Sequence, residues 1–571
     1  MSAHTSDKQR QAYSAGSLPL GVDGGGAVAW PAPYRRERAD TRPARIARRV
    51  LARLRVHLHD LAILGLLAGI VGVVHAWGMG HSPAFFDDEG AYVSQAWAIN
   101  KLHALAPYTY WYDHPPLGWI LLAGWAKLVP TFGASLYSIA AARTFMLAVL
   151  ITSACLLYVV ARRLGLRRVF TAFAVLLFSL SPLAVHYQRM VFLDNIAVGW
   201  LLAAFVLALT PNRRLCAYAG AGICFACAVL TKETFLLFLP ALTLAIWDGA
   251  HGQTRRFAVG IFASLFVLTA AFYLLFAILR GELLEGAHHT SLMYGVHFQL
   301  TRQGGGSLLD SHSAIRGLLD AWLRLDPILL GTAVLLMPVG LLVRRIRPVA
   351  LGLVIPVAMI ARPGGYVPAM YVIGLLPFAA LTIAAVADWL WRPRAIISPA
   401  SARAGWPRFA GRSVATAATL AAVALIGVVS ALAAPRWARA DHEQMRMDDT
   451  APARAAIDWL TARAGRSDRL LVDDTVWTDL VERGFDQRRT IWFYKLNLDP
   501  AIRLRWSQFD YVVRSNLLAG NLYWLPKCRQ VFDHSRLVAV FQSHDERIEI
   551  RRVIKPEGGG EPRPSRPRRP R

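Results

Sequence analysis

The 571-residue sequence has little charge: Asp, Glu, Lys and Arg make up only 18%, against roughly 25% in an average soluble domain. Apolar residues reach 55%, so disorder throughout is excluded. Cysteine is scarce too. Five residues are no basis for a disulfide scaffold. Cys155, Cys216, Cys224 and Cys227 lie in or beside apolar runs, and Cys528 is alone near the C-terminus. Cys224 and Cys227 have redox or zinc spacing, but no second pair accompanies them, and they read as small packing residues. No glycine-rich phosphate loop follows the first strand of the C-terminal region, so no nucleotide site is expected there. There is no internal repeat of the kind transporters carry. The first apolar run begins near residue 58, too deep for a cleavable signal, and is read as an uncleaved anchor.

Acidic residues are the scarcer sign of charge, 37 against 63 Lys and Arg, for a net charge of +26. Such an excess raises the question of nucleic acid, but its distribution answers otherwise. Residues 1–56 hold eleven Lys/Arg against four Asp/Glu, and residues 556–571 hold five Arg against two Glu. Both stretches are rich in Pro, Arg and Gly or Ala and are read as disordered tails. The N-terminal one suits anionic head groups, and no nucleic-acid partner is expected.

What the sequence does have is apolar runs of membrane-crossing length. They fall near 58–79, 136–160, 169–187, 192–210, 215–231, 234–249, 257–279, 327–343, 349–361, 370–390 and 413–434. Between them, basic residues recur on alternate connections: Arg162, Arg163, Arg167 and Arg168; Arg213 and Arg214; Arg255 and Arg256; Arg344, Arg345 and Arg347; then Arg392, Arg394, Arg403, Arg408 and Arg412. With about eleven crossings and a cytoplasmic N-terminus, all these loops fall on the cytoplasmic side. Segments 80–135, 280–326 and everything after about 435 then lie outside the cytoplasm. Residues 435–555 carry one stretch of helical spacing, RAAIDWLTARAG, and short strand-like runs, RLLVDD, TIWFYKL, DYVVRS, LVAVF and RIEIRRV, which together suggest a small α/β domain.

Chemistry is expected in the outer segment that follows the first span. Asp87, Asp88 and Glu89 open a stretch with helical spacing, where acids suit the helix N-terminus. Seven Tyr and Trp residues follow by residue 119, as in a segment lying at the membrane interface. Carboxylates held there lose part of their water, which suits them to general-base work. Asp113 and His114 form a second polar knot before Pro115 and Pro116. Arg189, Lys232 and Arg362 fall at outer ends of spans, against the orientation rule, and Arg143 belongs with them. Cations at membrane level generally serve a pathway, a partner or a ligand, and an anionic phosphate at head-group depth meets all three. His288, His289, His297 and His312 share the loop 280–326 with Glu282 and Glu285, but their spacing matches no metal-ligand motif.

These pieces together resemble a known family. An Asp-Glu pair after the first membrane helix, an aromatic loop closing in DHPPLGW, Arg-x-x-x-x-Asp at 189–194 and Lys232 at the next outer hairpin are similar to the lipid-carrier-dependent GT-C glycosyltransferases. Within them the likeness is to glycosyltransferase family 39, the protein O-mannosyltransferases and lipid A aminoarabinose transferases, over about residues 58–390. The resemblance implies transfer of a sugar from a polyprenyl phosphate, with inversion, to an extracytoplasmic protein, lipid or cell-wall glycan. It implies no required cofactor and no metal site, leaving a divalent cation open. By position, Asp88 matches the proposed catalytic acid, Glu89 its companion, Asp113 and His114 a pair beside the sugar, and Asp194 the acid of the next hairpin. Arg143, Arg189 and Lys232 match basic positions around the carrier phosphate, and Tyr366 begins a late outer-loop signature. Asp87 precedes the pair, so the base is Asp87 or Asp88.

The expected fold class is therefore an α-helical polytopic membrane protein of GT-C type with a C-terminal extracytoplasmic α/β domain. Its parts are a basic cytoplasmic tail (1–56), a transmembrane domain (57–434), the α/β domain (435–555) and a Pro/Arg tail (556–571). The expected location is the plasma membrane. The alternative function is a transporter or flippase of lipid-linked sugars, for which the outer carboxylates have no evident task.

Overall fold

The computed structural model describes residues 42–286, 290–302, 304–391, 408–544 and 546–555. The chain forms two compact units, Met1–His59 and Asp60–Arg571. In the first, the described residues are the beginning of helix α1 (Arg42–Ala76). The helix thus starts inside the segment that composition assigned to a disordered tail. Its first turns, RPARIARRVLARLRV, are rich in Arg, Ala and Leu, which favour helix whatever their charge. Residues 1–41 and 556–571, with His288, His289, Arg392, Arg394 and Arg403, lie outside the described residues.

Each apolar run of the second unit is helical. The helices are α2 (Asp87–Leu102), α3 (Leu117–Trp125), α4 (Ser138–Arg163), α5 (Arg168–Leu180), α6 (Pro182–Arg189), α7 (Leu193–Ala208), α8 (Leu215–Thr231), α9 (Leu239–Gly249), α10 (Arg255–Leu279), α11 (Leu292–Thr301), α12 (Ala314–Leu325), α13 (Pro327–Leu342), α14 (Arg347–Ala361) and α15 (Val372–Leu390). A 39-residue helix, Arg408–Arg446, follows. Among the described residues, five stretches are long and apolar enough to cross a bilayer, or seven if two bent pairs each count as one. One pair is α5 with α6, bent by 61°. The bend falls at Ser181-Pro182, where the proline starts a new helix instead of continuing the old one. The shorter helices α7, α8 and α14 have 16, 17 and 15 residues. At 1.5 Å per residue they fall just short of the ~30 Å hydrocarbon core. Hence length alone supports fewer spans than the eleven that apolarity suggests.

Helix α15 lies inside the bundle. Every residue from Val372 to Asp388 is buried, as expected of a helix that is apolar all round. Ion pairs tie loops together at the basic end. Arg162 and Arg168 both meet Asp60, at 3.3 and 2.9 Å, Arg167 meets Asp388 at 3.6 Å and Arg344 meets Asp248 at 3.4 Å.

The C-terminal part holds a five-stranded sheet of order β2-β1-β3-β5-β4, formed by β1 (Leu470–Val472), β2 (Thr490–Trp492), β3 (Tyr511–Arg514), β4 (Ser535–Gln542) and β5 (Arg547–Val553). The first three strands are parallel, and β5 runs antiparallel to both β3 and β4. TIWFYKL is strand only as far as Trp492, then helix over Phe493–Leu498. Trp477 and Trp492 are core residues and so not free to stack on a sugar. Trp524 is exposed.

Helix α2 joins the two layers. Tyr92, Val93 and Ala96 belong to the core of the helical bundle, whereas Trp97 and Ala98 belong to the core of the α/β part. Being sandwiched, α2 is buried continuously from Tyr92 to Ala98. That is why it shows no single apolar stripe.

Candidate active site

The three acids that open α2 have different surroundings. Glu89 is fully buried and its carboxylate is fully engaged. It accepts hydrogen bonds from Arg143 Nε (3.0 Å) and Nη2 (2.8 Å), from the Val191 backbone N–H (2.8 Å) and from the Phe86 N–H (3.1 Å). Arg143 uses its remaining donors on the carbonyls of Met79, Pro83 and Ala84 at 2.9, 2.9 and 3.3 Å. A guanidinium has five N–H bonds, so none is left for a phosphate. Glu89, expected beside the chemistry, and Arg143, expected at the phosphate, form a brace that holds α2 against α4 and the α6–α7 turn.

Asp87 and Asp88 are half-buried and free of that brace. Asp87 Oδ1 accepts the Asp88 N–H at 2.9 Å. Burial, then the Asp88 and Asp473 carboxyls, push Asp87 up to about 8. Asp473 and Asp474 come from the α/β domain and were not singled out in the sequence, although paired acids directly after its first strand were there to be seen.

A second group gathers across Tyr92. Helix α8 ends at Thr231, which places Lys232 at its C-terminal cap, and Glu233 opens the 3-10 turn that follows. Lys232 Nζ lies 3.4 Å from His114 Nε2, and His114 Nδ1 lies 3.3 Å from Glu233 Oε2. Lys232 also sits 6.0 Å from the Tyr92 ring centroid, within electrostatic reach of Asp194 and Asp88. Asp194, in the first turn of α7, is buried with Oδ2 unpartnered. A cavity of about 10 Å³ lies against it, room for one water. Asp88, Tyr92, His114, Asp194, Lys232 and Glu233 therefore form one polar cluster drawn from four separate helices and loops.

Two loops, 302–306 and 362–366, meet near it. The Gly305 N–H donates to Gly365 O (3.1 Å), and the Gly364 N–H donates to Gly306 O (2.9 Å). A Cβ on Gly304 would overlap Gly364 O, so glycine is needed for the loops to run side by side. This contact sets the Arg302 guanidinium 3.7 Å from the Tyr366 ring centroid, and Tyr366 is within electrostatic reach of Asp88 and Lys232. Arg302 is not singled out by the sequence, where its signal is a basic side chain close to a run of glycines.

The other candidates point elsewhere. Asp113 turns away from His114 toward Lys495 of the α/β domain, 3.8 Å off. Arg189 is buried, with Nη2 on the Val74 and Trp77 carbonyls at 2.7 and 3.0 Å. Arg362 is exposed and makes no ion pair among the described residues. His297 and His312 are exposed, and among the described residues no group of three His, Cys, Asp or Glu is arranged to hold a metal ion.

Residues 113–282 match the family described as dolichyl-phosphate-mannose-protein mannosyltransferase. In fold the chain is similar to ArnT from Cupriavidus metallidurans bound to undecaprenyl phosphate, with a TM-score of 0.52 and 14% identity over 86% of this chain and 97% of that one. A slighter likeness, TM-score 0.32 and 19% identity over 39% of this chain and 34% of the other, is to the Saccharomyces cerevisiae protein O-mannosyltransferase Pmt1–Pmt2 complex bound to the sugar donor. No curated protein matches. The family match agrees with the resemblance read from the sequence: over residues 113–282 the chain is similar to the mannosyltransferase family, and its fold, with several helices apolar enough to cross a membrane, is similar to that of ArnT. The transporter alternative is not favoured.

Proposed function

We propose that the protein transfers a sugar from a polyprenyl phosphate to a hydroxyl on an extracytoplasmic acceptor, with inversion at the anomeric carbon. The reading rests chiefly on one observation: the Asp88 carboxylate and the Lys232 ammonium share a cluster assembled around Tyr92. Asp88 takes the proton of the acceptor hydroxyl as its oxygen attacks the anomeric carbon. The bond from that carbon to the phosphate oxygen breaks on the opposite face, and polyprenyl phosphate leaves. Lys232 and Arg302, the latter held on Tyr366, stabilise the departing phosphate. His114, oriented between Lys232 and Glu233, and Asp194 contact the sugar. Glu89, Arg143 and Arg189 hold the framework, and Asp113 holds the outer loop to the α/β domain. The reaction as written balances without a cofactor. The acceptor is a protein, lipid or glycan of the cell envelope, the basic end of the bundle faces the cytoplasm, and the α/β domain lies outside the plasma membrane.

The test uses purified protein in nanodiscs and membrane lipids carrying radiolabelled polyprenyl-phosphate sugars. Label passing to an acceptor supports transfer. Retention of full activity by Asp88→Asn combined with Asp87→Asn overturns the assignment of the base.

A further inference from the structure

Residues 103–116, between α2 and α3, form neither helix nor strand. A connection of this length has no periodic backbone bonding to hold it, so tertiary contacts must. Here the contacts go to two different bodies. Toward the α/β domain, the Tyr108 ring packs against one of its core clusters. The Tyr110 hydroxyl donates to Asp499 Oδ2 at 2.7 Å, and Lys495 Nζ lies 5.5 Å from the Tyr110 ring centroid and 3.8 Å from Asp113 Oδ2. Toward the bundle, the Tyr273 hydroxyl of α10 donates to Trp111 O at 2.9 Å, and the Tyr112 hydroxyl donates to Glu282 Oε2 at 2.9 Å. A Cβ on Gly295 of α11 would stand 2.7 Å from Tyr112 O, so the backbones touch there as well. Tyr108 takes a positive φ of 61°, which a bulky side chain keeps only where its surroundings impose it.

These contacts lead to His114. The Asp113 N–H donates to Tyr110 O and the Tyr110 N–H donates to Asp113 Oδ2, both at 3.3 Å, which closes a turn over residues 110–113. Pro115 and Pro116 fix φ on the other side. His114 therefore stands between a pinned turn and two proline rings. Its own side-chain contacts, 3.4 Å to Lys232 Nζ and 3.3 Å to Glu233 Oε2, are long for hydrogen bonds. The backbone, more than these contacts, sets where the imidazole lies. Of the polar tethers to the α/β domain, the shortest is the one to Asp499. Asp499 is 4% exposed, and its other oxygen accepts the Ala501 N–H at 2.8 Å, in the kind of turn that an Asp-Pro pair favours. Its carboxyl is thus already aimed when Tyr110 docks. The Lys495–Asp113 pair is longer and its Asp113 is 39% exposed. A pair of that kind contributes little.

We infer that Asp499 is a positioning residue for the transfer reaction: through Tyr110 it pins the turn 110–113 and so places the His114 imidazole against the sugar. That His114 meets the sugar is taken from the transferase reading; the tether itself stands on the contacts between named side chains. Without touching the reacting atoms, the α/β domain thus decides where one of the groups around them lies.

Two measurements on the full-length protein in nanodiscs test this. The first needs no substrate. Diethyl pyrocarbonate modifies accessible imidazoles, and its rate at His114 is followed by mass spectrometry. Asp499→Ala and Tyr110→Phe remove the two ends of the hydrogen bond. The net worth of such a bond corresponds to about a fivefold change in equilibrium, so both should speed modification by about that factor. Asp499→Asn, whose amide oxygen still accepts from the hydroxyl, should restore the slow rate. The second measurement uses radiolabelled polyprenyl-phosphate sugar. Both disrupting variants should lower kcat/KM about fivefold, while polyprenyl phosphate without a sugar binds as it does to the wild type. In a His114→Ala background neither substitution should cost anything further. An unchanged modification rate in both variants overturns the inference. So does an undiminished loss in the His114→Ala background, or an equal fall in binding of the bare carrier. Tyr110→Phe removes only an oxygen, so the test stands even where Asp499→Ala does not fold. Absence of transfer by the wild type refutes the transferase reading instead, and the modification rates then decide the tether alone.

Discussion

Glu89 and Arg143 form a two-pronged ion pair, 3.0 and 2.8 Å long, with both side chains wholly shielded from solvent. It sits one residue from the proposed base. Breaking a buried pair by removing one partner leaves an uncompensated charge and costs about 3–5 kcal/mol. Arg143→Ala and Glu89→Gln should therefore lower thermal stability in detergent and the yield of folded protein. A normal unfolding temperature for both would show that the brace is dispensable.

Asp88→Asn should keep its fold and lose about 10²–10⁴-fold in transfer rate, the usual worth of a general base. Asp87→Asn should retain most activity, because burial and the neighbouring Asp88 and Asp473 carboxyls favour the neutral form of Asp87. The measurement is single-turnover transfer with saturating donor.

Lys232→Met removes a buried cation from the polar cluster. A hydrogen bond to a charged group is worth about 1.5–3 kcal/mol, so undecaprenyl phosphate should bind about 10- to 100-fold more weakly. Titration of the lipid against intrinsic tryptophan fluorescence reads this directly, and Lys232→Arg should recover part of the loss.

Stability should also depend on pH through Asp87. Its proton affinity is higher in the folded chain, about 8, than the ordinary 3.8. The folded state then binds more protons than the unfolded one between those values. The contribution is complete below about pH 4 and is lost as the pH climbs through about 8. Unfolding temperatures should fall over that window, and Asp87→Asn should flatten the fall.

Much of this arrangement is written locally. The helix over 215–231 begins and ends where the apolar run does, because in a bilayer apolarity and helix coincide. The acids of α2 were legible as a helix start for the same kind of local reason. The division of labour among them was not, since Glu89 finds its partners 54 and 102 residues away. Nor did the sequence show Asp474 against Gly90, or Arg302 on Tyr366, because each depends on a close approach of backbones at Gly90 or Gly304 that no periodicity announces. The break at Pro182 was visible but hidden by the apolar residues on either side, which made 169–187 look continuous.

The brace and the Gly90 contact also bear on biosynthesis. As the chain leaves the ribosome, Glu89 has nowhere to settle until the amide of Val191 has been made, and Gly90 meets its neighbour only when Asp474 emerges. A nascent chain halted at residue 440 would carry Asp88, His114, Lys232 and Arg302 and still lack a finished site.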